Sequence, residues 1–166
     1  MTRKNSGFTL IETLIYLALY GIIIGGTLVS VFNIFESHNR NQAKAMLEEE
    51  GAYLIGKIDW ALSGANSVDT PTTNKLAIER AELPTNQNPL TFEITSGNLT
   101  LTRGTNSGEI LNNSNVKLQN LTFTHVTPSE ESVLPESLTA TFMLIAKTSE
   151  GFEISRIFSS TKYLRK

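Results

Sequence analysis

Residues 13–35 read TLIYLALYGIIIGGTLVSVFNIF, without one charged side chain. As an α-helix, at 1.5 Å per residue, this stretch is about 35 Å long. That suffices for the roughly 30 Å hydrocarbon core of a bilayer. Arg3 and Lys4 precede it, and the positive-inside bias then places the N-terminus in the cytoplasm and everything after residue 35 outside. A secretory signal peptide would have a shorter apolar region, about 7–15 residues, closing on a small-x-small site. Ala43-Lys44-Ala45 has that form but lies well past the end of the run, so the reading is a retained single-pass anchor.

Working back from this stretch, one residue is out of place. Glu12 sits between Phe8, Leu10 and Ile11 on one side and the apolar run on the other. A carboxylate at the centre of a membrane helix costs about 2.5–3.5 kcal/mol; near the cytoplasmic edge, snorkelling lowers that cost. Glu12 is either an interfacial residue without a partner or a residue that awaits a cation.

The string Gly7-Phe8-Thr9-Leu10-Ile11-Glu12, after the basic pair and before the apolar run, resembles the N-terminus of type IV pilins and pseudopilins. The resemblance covers about Met1 to Phe35. It implies a leader of residues 1–7, cut after Gly7 on the cytoplasmic face by a prepilin peptidase that also methylates the new N-terminal Phe8. It further implies that Glu12 of one subunit pairs with the Phe8 amine of a neighbour in a filament. Such a pairing removes two buried-charge penalties and sets an axial register, a recognised role of buried ionic groups. The partners so implied are the peptidase, other pilin or pseudopilin subunits, an inner-membrane assembly platform and the lipid bilayer. Pseudopilins at a filament tip can lack this Glu, so Glu12 favours a subunit that packs below another.

Within the run, Gly21-xxx-Gly25 and Gly26-xxx-Ser30 space small residues along a helix face, as close helix–helix packing requires. The resemblance to pilins, in which a Gly or Pro near this depth can mark a stretch that unwinds on assembly, makes Gly21 the candidate here, although no proline precedes Pro71. After residue 35 the apolar positions Ala43, Leu47, Leu54, Ile58 and Ala61 recur at helical spacing, giving one amphipathic face. Glu36 and Arg40 form an i,i+4 pair in the favourable order. Glu48-Glu49-Glu50 reads as a solvated face. Gly51 and Gly56 each weaken a helix by up to about 1 kcal/mol relative to Ala, so a bend there is expected. Ser63-Gly64 supplies the stop. One nearly continuous helix over 8–62 would be about 80 Å long.

From residue 64 the character changes. Residues 64–73 are a polar linker. Beyond Lys75 the period becomes two: Leu90, Phe92 and Ile94, a Ser96-Gly97 turn, then Leu99 and Leu101 make a hairpin signal. Leu118, Leu121 and Phe123 mark a further strand, Leu138 to Ala146 another, and Phe152 to Tyr163 the last, after a turn at Ser149-Glu150-Gly151. One-sided alternation implies an antiparallel sheet with one face buried. The apolar half of the helix is its natural cover. The expected class is α+β, with a leader 1–7, a membrane and assembly segment 8–35, an amphipathic segment 36–63 and a β-rich head 64–166. The architecture resembles a pilin head on its long helix.

Composition bounds the chemistry. There is no cysteine, net charge is -2, and only 18% of residues are charged. A disulfide framework, an iron–sulfur cluster, a Cys-rich zinc site and a Cys nucleophile are excluded. His38 and His125 are the only imidazoles, and His125 reads as a strand residue. Glu130-Glu131 reads as a solvated loop, since no Asp/Asn-rich loop surrounds it. Lys162, Arg165 and Lys166 form a small basic end that could touch DNA phosphates, but three charges are a thin footprint and imply no nucleic acid firmly. No catalytic set, metal site or cofactor is expected. The expected function is that of a structural subunit, a minor pilin or pseudopilin, closest to the J-type. It would serve a type IV pilus, competence or type II secretion filament. The alternative is a binding module, an adhesin or DNA receptor, on the same anchor.

Overall fold

The computed structural model describes residues 9–69, 74–127, 135–148 and 151–164. Contacts divide the chain into two units, Met1–Asn41 and Gln42–Lys166. A single helix, α1 (Leu10–Ser63), contributes to both.

Over residues 13–35 α1 carries no charge, and its side chains are exposed through the membrane-length window. Several of its hydroxyls are satisfied inside the helix. Thr27 Oγ1 donates to the Ile23 carbonyl at 2.8 Å and Ser30 Oγ to the Gly26 carbonyl at 2.9 Å. That back-bonding lets polar residues sit in an apolar stretch without an outside partner. The expected Glu36–Arg40 pair is formed, at 2.6 Å.

The second unit has its own core. Ala43, Leu47, Gly51, Leu54, Ile58, Ala61 and Leu62 of α1 are buried, at spacings of three and four apart from the adjacent 61–62 pair, as one helix face demands. They pack against two antiparallel sheets. The first is a meander of β1 (Ser67–Val68), β2 (Lys75–Glu79), β3 (Leu90–Thr95), β4 (Asn98–Arg103) and β5 (Glu109–Ile110). The second holds β6 (Val116–Val126), β7 (Ser137–Lys147) and β8 (Glu153–Tyr163). The α+β class is therefore as expected, but the strands divide into two sheets. The alternation fixed which face each strand buries, not which strand it joins. The stretch 64–73 is also more than linker, since β1 lies within it and pairs with β2; residues 70–73 lie outside the described residues.

The β3–β4 hairpin is the one the sequence predicts. Thr95 pairs with Asn98, and Ser96 and Gly97 both have positive φ, 53° and 76°, the geometry of a two-residue type I′ turn. Asn112 ties this sheet to the next. Its Oδ1 accepts from the Leu99 amide at 2.7 Å and its Nδ2 donates to the Val116 carbonyl at 2.7 Å. Leu118 N also donates to Gly97 O at 2.9 Å. In β6, Leu118 and Leu121 are both buried although they are three apart. A register shift between Gln119 and Thr122, with Asn120 at φ 52°, accounts for it: the extra residue of a bulge returns the alternation to the core side. The turn before β8 falls partly at 149–150, outside the described residues; Gly151 has φ 86° and its amide donates to Thr148 O at 2.9 Å.

Gly51 does not break the helix. A Cβ there would overlap the Phe158 ring of β8, so the missing side chain leaves room for that ring against the helix. The glutamates 48–50 are also more than a solvated face. Glu48 forms an ion pair with Arg156 of β8, and Glu50 Oε1 accepts from the Asn113 amide at 2.7 Å.

Candidate processing and assembly site

The N-terminal site is built on the first turn of α1. Thr9 stands just before the helix, and its Oγ1 accepts from the Glu12 amide at 3.4 Å while its carbonyl accepts from the same amide at 3.1 Å. Thr9 thus caps one of the donors that every helix start leaves open. Glu12 is three residues on, the spacing of a capping box, and its charge sits favourably at the positive end of the helix dipole.

The Glu12 Oε1 accepts from the Tyr16 hydroxyl at 3.3 Å in an exposed contact. Sequence reasoning singled out Glu12 but missed both neighbours. The signals were present: Thr9-x-x-Glu12 is a capping-box spacing, and Glu12 to Tyr16 is an i,i+4 step on one helix face. Gly7 and Phe8, the expected cleavage pair, lie outside the described residues, as do Arg3 and Lys4.

Gly21, Gly25 and Gly26 all lie within α1, which stays helical through them. A Cβ at any of the three would meet nothing within 4 Å. No contact among the described residues requires glycine there; a small open patch remains, of the kind that admits another helix closely.

The remaining candidates are ordinary. His125 lies in β6, as expected, and its Nε2 is 3.1 Å from Glu136 Oε1. No group of three or more His, Asp or Glu side chains placed to hold a metal occurs among the described residues. Lys162 lies in β8; Arg165, Lys166, Glu130 and Glu131 lie outside the described residues.

No curated protein and no solved structure matches the chain. Residues 2–28 match the family model described as the prokaryotic N-terminal methylation motif. The match takes in Arg3, Lys4, the Gly7-Phe8 pair, Glu12 and the apolar run as far as Leu28, and α1 is long and apolar enough to cross a membrane. Such a motif implies processing by a prepilin peptidase and assembly with other pilin-type subunits. The N-terminal segment of this chain is thus a prokaryotic methylation motif of the kind carried by type IV pilins and pseudopilins.

Proposed function

We propose that the protein is a non-catalytic filament subunit, a minor pilin or pseudopilin of a pilus, competence or secretion machine. In this reading the prepilin peptidase cuts after Gly7 and methylates Phe8. The chain sits in the cytoplasmic membrane with its N-terminus inside and the 42–166 unit outside. Glu12 exchanges its Tyr16 hydroxyl for the Phe8 ammonium of a neighbouring subunit. Gly21, Gly25 and Gly26 give the neighbour's helix a close approach.

One observation carries the proposal: the methylation motif at 2–28 runs without interruption into a helix of membrane length. Mass spectrometry of the chain isolated from membranes of a host with the peptidase tests it. The expected mature chain begins at Phe8 and carries one methyl group on its amine. A chain that keeps residues 1–7, or one cut near residues 42–46, overturns the proposal.

A further inference from the structure

Three residues of α1, Tyr53, Lys57 and Trp60, meet Arg80 and Arg103 from the β-rich part of the chain on the exposed side of α1 in the second unit. Tyr53 and Trp60 are i,i+7 on one helix face and remain 44% and 43% exposed. Lys57 and Arg103, the latter from the end of β4, line an open groove with them, about 440 Å³ in volume. Gly56, at which a Cβ would meet nothing within 4 Å, leaves the floor of this groove open between the two rings. Behind Trp60 stands Arg80, its guanidinium 4.6 Å from the ring centroid. Lys57 Nζ stands 5.4 Å from the Tyr53 centroid.

Each ring therefore already has a cation near it. That draws electron density from the ring and weakens it as a platform for the C–H groups of a neutral sugar. An electron-rich planar group can still stack on the rings, and Lys57 and Arg103 stand beside that position as counterparts for an anion. Arg103 keeps only a loose pairing with Glu109, at 4.0 Å. Aromatic platforms interleaved with cations are the arrangement that holds single-stranded nucleic acid, bases on rings and phosphates on the charged heads.

We infer that the Tyr53–Trp60 groove is a binding subsite for single-stranded nucleic acid, with Trp60 and Tyr53 stacking on bases and Lys57 and Arg103 contacting phosphates. The site lies wholly within the 42–166 unit, so it stands or falls independently of the filament reading. Two phosphate contacts on a single strand set the salt dependence, a slope of about -1.4 in log K against log salt. Affinity then falls roughly sevenfold between about 50 and about 200 mM salt, and roughly two- to threefold once one cation is removed.

The protein reports on this site directly, because Trp60 is its only tryptophan. The experiment titrates the full chain, in nonionic detergent, with a short oligodeoxythymidylate and follows Trp60 fluorescence. Quenching is expected, with the stated salt slope. Lys57→Gln and Arg103→Gln should each weaken binding and each halve the slope. Tyr53→Ala should weaken binding and leave the slope unchanged. Matched far-UV circular dichroism confirms that each variant is folded. The inference is overturned if the oligonucleotide leaves Trp60 unquenched, or if Lys57→Gln and Arg103→Gln do not alter the slope. It is equally overturned if dextran sulfate or phosphatidylglycerol vesicles quench Trp60 as strongly, since these bring charge without bases.

Discussion

At Glu12 a single carboxylate serves two settings. In the isolated chain it accepts from Tyr16 and sits at the dipole-favoured start of α1. In a filament it would face an ammonium at an apolar boundary, where loss of one partner of a buried pair costs about 3–5 kcal/mol. Glu12→Ala is expected to leave leader cleavage and membrane insertion intact and to abolish incorporation into filaments; immunoblots of processed, membrane and filament fractions separate the three. Tyr16→Phe removes only the local hydroxyl and should leave incorporation intact. Two glycines of the same helix should respond with opposite signs. Gly51→Ala drives a methyl into the Phe158 ring, and overpacking of that kind costs about 1–3 kcal/mol. Gly56→Ala meets no neighbour and gains up to about 1 kcal/mol of helix propensity. Thermal unfolding should show a lower midpoint for the first and a higher one for the second. The sequence marks both glycines alike as weak points of a helix. What separates them is a phenylalanine 107 positions further on, and local propensity carries no information at that range.

The elements were legible to different depths. The buried face of α1 could be read position by position, because a helix that rests on a core declares itself every three or four residues. Leu54 is fully buried on that face, so Leu54→Ala should cost about 2–5 kcal/mol. A lowered denaturation midpoint for the 42–166 unit is the check; an unchanged midpoint would contradict the packing of α1 on the sheets. Of the eight strands among the described residues, five were legible as strands, whereas β1, β2 and β5 were not singled out, and β6 hides a bulge. Nothing in Leu118–Leu121 announces that the chain turns left-handed at Asn120, a conformation that asparagine tolerates and β-branched residues do not. The end of α1 was read correctly at Ser63, yet its support comes from elsewhere. Arg80 donates to the Trp60 carbonyl at 3.4 Å, and a Cβ at Gly64 would overlap its guanidinium. A cation near the last carbonyls of a helix opposes the negative end of its dipole, and here it is supplied from beyond β2 rather than from the last turn of the helix.

For the molecule as a whole, the class and the division into an apolar part and a β-rich part follow from where hydropathy falls and where the period changes from 3.6 to two. The grouping into two sheets does not, because pairing is a long-range choice that alternation leaves open. The 42–166 unit holds its own core of side chains from α1 and both sheets. Expressed from residue 42, it is expected to be soluble and to unfold in one cooperative step, with the amides of β7 among the slowest to exchange. β7 lies between β6 and β8, so both of its edges are bonded. Non-cooperative melting would show that the unit needs the preceding helix to hold its fold.

The inward hydrogen bonds of Thr27 and Ser30 have a consequence for specificity. Because these hydroxyls are spent on their own helix, they make no directional demand on a neighbour. A bare apolar cylinder is nearly indifferent to sliding: shifted by one turn, it trades methyl contacts for similar methyl contacts. Between Thr9 and Phe35 only Glu12 carries charge. In the proposed filament the smooth surface would supply adhesion and the single carboxylate the index mark, as a ruler with one graduation can be laid against another in only one position.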